Sequence, residues 1–306
     1  MGFSTVPSNP PRFVIVGDGS PAQEAVKFLV GAEAAISAVF TTSKESRGLV
    51  NFVESKNLPW FESETLKDIH NIPPLAFDGN WLINAFSPII LRAAVLDRFG
   101  PQALNLHNGP LPQYAGINVT QWAIRNGESD SACTIHEMTK KIDGGPIVAT
   151  RTFPIGLEET GLDVFRNSMK IGAALLVDVL QMILDKKPLQ SHPQSAENRR
   201  VYSMKEAKNS VLDWALDAEQ VRDFIRAADY RPMQSPTYQA QWRLPGGELV
   251  QLSRAKVVTG RSGSTGEVLS IDDQGPTIIC GNNAVKITAA YLGAKKLDRA
   301  SWTKLL

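Results

Sequence analysis

The sequence predicts an α/β protein: a Rossmann-like, mostly parallel sheet with helices on both faces, followed by a small β-rich C-terminal domain. Three observations carry this reading. Through the first 190 positions, short apolar runs alternate with amphipathic stretches of about ten residues, the signature of βαβ units. Beyond that point the pattern changes to short β-rich segments punctuated by Gly and Pro. Hydrophobic residues make up 43% of the 306 positions and charged residues 21%, a composition that supports a packed core.

The elements follow in order. Phe13-Val14-Ile15-Val16 reads as a buried strand and 21–30 as a helix, with Pro21 suited to its first turn. A strand over 35–40, a helix over 44–56, a strand over 81–86 and a helix over 89–98 come next. A strand over 103–107 ends in a polar cluster, and a helix spans 119–126. Strands over 131–138 and 146–155 precede a long helical pattern over 160–186. Ser191 to Ser195 reads as a linker, dividing a domain over 1–190 from the remainder over 191–306. The latter holds a helix over 217–228 and β segments over 237–244, 249–258, 266–271, 277–281 and 284–290, the profile of a small barrel or sandwich.

With 32 Lys+Arg against 31 Asp+Glu, the net charge is +1, which argues against bulk electrostatic attachment to nucleic acid or anionic membrane. Two isolated cysteines, Cys133 and Cys280, offer neither a disulfide framework nor zinc-ligand spacing, so no metal is expected. No apolar run reaches signal-peptide or bilayer-spanning length, and a reduced, cytoplasmic protein with no membrane partner is expected.

Gly17-Asp18-Gly19-Ser20-Pro21-Ala22 fits the dinucleotide fingerprint G-x-G-x-x-A. The acidic residue that would bind a ribose is missing after the second strand, where Thr41, Thr42 and Ser43 stand, and Pro21 removes one backbone N–H from the turn. The segment reads as a glycine turn joining strand to helix.

Chemistry concentrates between 105 and 147. Residues i and i+2 of a strand share a face, so Asn105 and His107 project together near a strand end. An Asn amide donates to a developing oxyanion, and a neighbouring His moves a proton near neutral pH. Asp143, in a glycine-bordered loop, is placed to orient that His and stabilise its charged form. The trio suits acyl transfer in which the substrate brings the nucleophile, since no G-x-S-x-G elbow is present. The same residue types also satisfy backbone groups at turns. His136, in a predicted strand, reads as structural or supporting.

This stretch resembles the 10-formyltetrahydrofolate-dependent formyltransferases. Asn105-x-His107, Leu111-Pro112-x-Tyr114-x-Gly116, Trp122-Ala123-Ile124 with Gly127, and Asp143-x-Gly145-x-Ile147 carry the resemblance in order and spacing. Tyr202 to Lys205, Leu212-Asp213-Trp214 and Ile225-Arg226-Ala227 resemble the junction of two-domain members, and the segments after 266 resemble their OB-like C-terminal domain. The resemblance implies a formyltransferase catalytic domain over 1–190 and a formyl donor, N10-formyltetrahydrofolate. Asn105 then holds the formyl oxygen, His107 acts as general acid or electrostatic stabiliser, and Asp143 orients His107 and helps remove the amine proton. Phe86, Ser87, Pro88, Ile89, Leu111, Pro112 and Ile142 are expected along the folate, and Tyr114, Asn118 and Gln121 toward the acceptor.

Several positions depart from the common pattern: Gly109-Pro110 precede Leu111-Pro112, Ala115 precedes the loop glycine, and Pro146 replaces the second acid of Asp-x-Gly-Asp-Ile. Residues 201–306 hold 14 Lys/Arg and 11 Asp/Glu, a thin basic surface for a polyanion. The expected acceptor is therefore a small-molecule amine, either a nucleotide-linked amino sugar or a hydroxyornithine-like amine. Methionyl-tRNA and water, the latter making the protein a hydrolase of the donor, are the alternatives. A homo-oligomer is compatible with all three.

Overall fold

The computed structural model describes residues 2–4, 9–205 and 210–306, without the side chains of 2–4 and 69. Two compact units interleave along the chain. One comprises residues 1–116, 132–153 and 167–201; the other comprises 117–131, 154–166 and 202–306.

The first unit is built on a seven-stranded sheet. Its strands are β1 (Arg12–Gly17), β2 (Ala35–Thr41), β3 (Trp60–Glu62), β4 (Trp81–Ala85), β5 (Ala103–His107), β6 (Asp130–Glu137) and β7 (Ile147–Pro154). Their spatial order is β3-β2-β1-β4-β5-β6-β7. The first five run parallel, and β6 pairs antiparallel with β5. Helices α1 (Gly19–Gly31), α2 (Arg47–Ser55) and α3 (Ala93–Phe99) connect the parallel strands, as burial of both sheet faces requires. The strands β1, β4 and β5 are buried almost throughout, which is why they read as continuous apolar runs.

One face of this sheet is apolar toward its β1 side. Val14 and Val16 of β1, Ala38 and Phe40 of β2, Leu82 of β4 and Ala103 of β5 cluster with Ile89, Leu91, Val95 and Phe99. The helix expected over 89–98 begins only at Ala93, because Arg92 is extended (φ −75°, ψ 156°) and Ile89 and Leu91 are spent on this cluster. On the other face, Gly172 sits close to Leu106 and Cys133. A Cβ there would lie 3.2 Å from Leu106 and 3.4 Å from the Cys133 sulfur.

Gly172 belongs to α5 (Gly161–Leu184), which is long and apolar enough to match a bilayer span, contrary to the sequence expectation. Its pattern is nevertheless two-sided. Leu176, Val179, Leu180 and Ile183 are buried, while Asp163, Arg166, Lys170 and Asp178 punctuate the helix. That is the pattern of a core helix beside a sheet.

The glycine turn after β1 is filled from within the protein. The buried Asp18 carboxylate accepts from Thr41 Oγ1 (2.9 Å), Thr42 N (2.8 Å), Thr42 Oγ1 (3.2 Å) and Ser46 Oγ (2.9 Å). Ser46 Oγ in turn accepts from Gly19 N at 3.0 Å. The hydroxyls standing where a ribose-binding acid was absent therefore serve Asp18, and the turn binds a carboxylate of its own chain.

In the second unit, α4 (Val119–Arg125) packs on α6 (Ala218–Ala227), whose N-cap Asp217 forms a capping box with Gln220. An antiparallel sheet in the order β8-β9-β12-β11-β10 follows: β8 (Gln241–Arg243), β9 (Leu249–Val258), β10 (Val268–Asp272), β11 (Gly275–Ile279) and β12 (Ala284–Leu292). The strand expected over 237–244 contracts to β8. Tyr238 is instead buried with its hydroxyl donating to Phe224 O, outside any ladder.

At Gly17, the last residue of β1, a Cβ would fall 2.0 Å from Ala85 O. Gly17→Ala should cost about 1–3 kcal/mol, the usual range for overpacking, read as a lower urea midpoint at unchanged m.

Candidate active site

The site arises where the apolar face turns polar. Register across the sheet aligns Val16 with Asn84, Asn84 with Asn105, and Asn105 with His136. One step further along β5, His107 pairs with Thr134. Registered neighbours share a face, as do i and i+2 on one strand, so Asn84, Asn105, His107, Thr134 and His136 all stand on the face that carries the apolar cluster. They occupy its carboxyl-terminal part, where open α/β sheets bind ligands.

Asp143 reaches this row from the loop between β6 and β7. Its backbone is left-handed (φ 47°). The loop is held from outside: Gln194 Nε2 donates to Asp143 O (2.9 Å) and Gly145 O (2.7 Å), while Arg199 donates to Asp143 O (2.9 Å) and Ile142 O (2.6 Å). A Cβ at Gly145 would lie 1.9 Å from Glu137 O, so only glycine lets the loop fold back on β6. Thus Gln194, in the segment expected to be a linker, and Arg199 just beyond it strap the Asp143 loop, because their side chains satisfy carbonyls that a tight turn leaves unpaired.

The Asp143 carboxylate lies between two imidazoles. Oδ2 accepts from Gly116 N at 2.8 Å and lies 3.8 Å from His107 Nδ1; Oδ1 lies 3.5 Å from His136 Nε2. His107 Nε2 is 2.6 Å from the carbonyl of Tyr114. A carbonyl only accepts, so the His107 ring carries its proton on Nε2 and turns the Nδ1 lone pair toward Asp143. His136 Nδ1 similarly donates to Glu137 O at 2.8 Å, and its Nε2 is 3.0 Å from Asn105 Nδ2.

Burial lowers the His107 pKa below its ordinary 6.5, against the opposing pull of Asp143 and the Tyr114 carbonyl. Burial alone would raise the Asp143 carboxyl, but the His136 hydrogen bond, the His107 charge and the Gly116 N–H outweigh it and hold it at about 2. At neutral pH the site is therefore a neutral base, Nδ1 of His107, facing a fixed carboxylate. Burial pushes the Cys133 thiol up to about 12, and its sulfur donates to Ser168 O, so it offers no nucleophile. Among the described residues no group of three His, Cys, Asp or Glu is arranged to hold a metal.

The structure brings Asn105, His107 and Asp143 together and adds His136. The other expected residues fall as follows. Phe86 is left-handed (φ 63°), and its carbonyl accepts from Asp18 N. Ser87 Oγ accepts from Ile89 N at 3.1 Å; Pro88 lies between them, and Ile89 belongs to the apolar cluster. Leu111 N approaches Thr134 Oγ1 at 3.4 Å, the Pro112 carbonyl accepts from Arg200 N, and Ile142 is exposed. Tyr114 is buried and contributes its carbonyl to His107. In the second unit, Asn118 caps α4 in a left-handed conformation with its amide toward Met204 Sδ (3.8 Å). Gln121 is buried there, with Nε2 donating to Ser235 (3.0 Å) and Oε1 accepting from Thr237. Its amide is thus engaged at both ends within that unit. Sequence reasoning missed Gln194 and Arg199, which carry no motif. It left His136 outside the site, because strand periodicity does not disclose an antiparallel register.

Residues 13–180 match the formyl transferase family, and residues 205–305 match the formyl transferase C-terminal domain. The chain belongs to the formyl transferase family. This formyltransferase is 32% identical to the methionyl-tRNA formyltransferase of Dechloromonas aromatica over 241 residues, 78% of the chain and 74% of the relative. It is 33% identical to that of Neisseria meningitidis serogroup A over 227 residues, covering 74% and 71%. Among solved structures, the N-formyltransferase from Helicobacter canadensis in complex with folinic acid and dTDP-3-aminofucose superposes with a TM-score of 0.71. It covers 92% of this chain and 100% of that one at 16% identity. HypX from Aquifex aeolicus in complex with tetrahydrofolic acid gives 0.57 at 22% identity, over 95% of this chain and 46% of that one. At these identities the structures share the fold of the formyltransferase.

The charge states set a pH dependence. Unfolded, His107 takes a proton near pH 6.5; folded, it resists until lower pH, so the unfolded chain binds more protons and stability falls as pH drops below about 6.5. Asp143 adds a loss of about 2 kcal/mol between its ordinary 3.8 and about 2. Urea unfolding from pH 7 to 5 should show a shallower loss for His107→Gln than for the wild type. Equal slopes would remove His107 from this linkage.

Proposed function

We propose that the formyltransferase moves the formyl group of N10-formyltetrahydrofolate onto the amine of a small molecule. The observation that carries this is the assembly of Asn105, His107 and Asp143 at the carboxyl-terminal end of the sheet, with the only Cys nearby buried and protonated. In the proposed reaction the acceptor nitrogen attacks the formyl carbon. The carbonyl oxygen takes up the electron pair and is stabilised by the Asn105 N–H. His107 Nδ1 accepts the proton lost by the amine, and Asp143 stabilises the resulting imidazolium. The carbon–N10 bond then breaks, the carbonyl re-forms and N10 receives that proton. No protein nucleophile is needed, which fits a site holding a base and an amide donor beside a Cys133 thiol that burial keeps protonated.

The folate is assigned to the strand-end segment Phe86–Ile89, with Leu111, Pro112 and Ile142. Phe86–Ile89 follows β4, which pairs with β5; Leu111 and Pro112 follow His107 closely, Ile142 precedes Asp143, and the Asp143 loop is braced by Gln194 and Arg199. The reading places the reaction in the cytoplasm, consistent with two free, buried cysteines.

For the acceptor, the second unit supports a small amine. Arg222 and Arg226 both pair with Asp223, and Arg254 pairs with Asp229, so its arginines are largely spent internally and leave a thin basic surface. Methionyl-tRNA is the second reading, favoured by the identity to methionyl-tRNA formyltransferases.

Purified enzyme with N10-formyltetrahydrofolate and a panel of nucleotide amino sugars, hydroxyornithine and methionyl-tRNA tests this. Tetrahydrofolate release should depend on a small amine. Release dependent on methionyl-tRNA selects the second reading, and release without amine makes the protein a hydrolase. Asn105→Ala should lower kcat by about 100–1000-fold, the cost of losing an oxyanion donor. Asp143→Asn should slow turnover strongly with the fold intact, and unchanged turnover would remove the carboxylate from the mechanism.

A further inference from the structure

The second unit holds a cavity of about 200 Å³ that the formyl chemistry does not use. Helix α6 contributes Arg222 and Arg226 to its wall, one turn apart on a shared face. Strand β9 contributes Arg254 and Lys256, and β12 contributes Thr288. Among the described residues, Glu158 is the one acid in the lining; it lies in the loop between β7 and α5.

The wall depends on an irregular pairing of β9 with β12. The register steps from Leu252 to Arg254 on β9, and from Ala289 to Ile287 opposite Arg254 and Ala255. Ser253 and Thr288 are left out of the ladder. Such bulges re-aim side chains that regular alternation would send to opposite faces. Here two consecutive residues reach one carboxylate: Ser253 Oγ and Arg254 Nε lie 2.9 and 3.1 Å from Asp229 Oδ2.

The positive charge in this wall is not fully matched. Asp223 alone serves two guanidinium groups, with Arg222 at 2.9 and 3.1 Å and Arg226 Nε at 2.7 Å. Arg226 is only 5% exposed, and its Nη1 donates to the carbonyls of Gly156 and Glu159. Arg254 spends Nε on Asp229 and Nη1 on the Glu158 carbonyl, and it shares the field of Asp163 with Arg166. The outer edge of each fork remains. Among the described residues nothing accepts from Arg222 Nη1, Arg226 Nη2, Arg254 Nη2 or Lys256 Nζ, and none of these nitrogens is sealed from solvent. Donors on largely buried cations need water or an anion opposite them.

We propose that this cavity is a phosphate-binding site, taking inorganic phosphate or the phosphate of a small phosphomonoester. Arginine forks match the oxygens of a phosphate in pairs, and a lysine adds a point charge. The volume sets the size of the ligand. Pockets that enclose a drug-sized molecule span about 300–1,000 Å³, so this smaller cavity takes a phosphate group and not a whole nucleotide. The free edges of the arginines thus serve one enclosed anion, although their inner edges are spent within the protein.

The site is independent of the formyl chemistry, so its test needs neither donor nor amine. The full chain is titrated by calorimetry with inorganic phosphate and, separately, with glycerol phosphate, at constant ionic strength. Saturable binding is expected for at least one of them, and the tighter one names the source. Lys256 is exposed and makes no ion pair among the described residues, so Lys256→Gln should leave the phosphate-free thermal midpoint unchanged. It should weaken phosphate binding by about tenfold or more, the cost of one charged hydrogen bond. Lys256→Arg should largely restore binding. Lys304→Gln, exposed on the last helix and outside the cavity lining, should bind as the wild type does. No saturable binding of either phosphate would overturn the site, as would equal affinities in Lys256→Gln and Lys304→Gln. Binding of tRNA with no response to either small phosphate would also overturn it and assign these residues to a polyanion surface.

Discussion

The carboxylate of Asp143 is the constraint on which the site depends. A carboxylate this enclosed survives as an anion only where donors replace the water it has lost. Here the Gly116 N–H donates to it, and His107 at the end of β5 and His136 on β6 face it at 3.8 and 3.5 Å. Meeting all three at once fixes the position of the loop, the spacing of the two antiparallel strands and the ring planes of both histidines. The surrounding structure follows from that demand. Gln194 and Arg199 cover the loop carbonyls, and Gly145 permits the close approach to Glu137 O. The left-handed backbone at Asp143 is held by those contacts.

The same carboxylate sorts the two histidines by the bond each makes at its far nitrogen. His107 spends Nε2 on the Tyr114 carbonyl and leaves the Nδ1 lone pair toward Asp143. His136 spends Nδ1 on Glu137 and leaves Nε2 to Asn105 and Asp143. Two imidazoles on one face thus take different parts because backbone carbonyls, rather than other side chains, set their tautomers.

Much of this was legible in the sequence. The parallel strands read correctly because burial on both faces turns them into apolar runs, and Asn105-x-His107 gives its shared face through strand alternation alone. What escaped was set by tertiary pairing. Trp60–Glu62 is a three-residue edge strand too short to carry a period. The final helix, Arg299–Leu305, is a single short element with one buried anchor, Trp302. The helix expected over 89–98 lost its first turn to the core, since Ile89 and Leu91 gain more by joining the apolar cluster than by continuing a helix. The partners Gln194 and Arg199 lie about 50 residues from the loop they brace, and composition marked their segment only as a break between domains. His136 needed the register of β5 against β6, which no single-strand pattern contains.

The row Phe40, Val16, Asn84, Asn105, His136 shows how one sheet face serves both stability and chemistry. It runs from an aromatic core residue to an imidazole in four registered steps, each about 4.8 Å apart. Its apolar end packs against the segment after β4 and excludes water from one side of the row. Beside this row, burial of His107 lowers its pKa and keeps the ring neutral, hence basic, at neutral pH. Without the opposing carboxylate the same burial would lower the His107 pKa further. The proton affinity of His107 therefore rests on a balance between its burial and the Asp143 anion beside it.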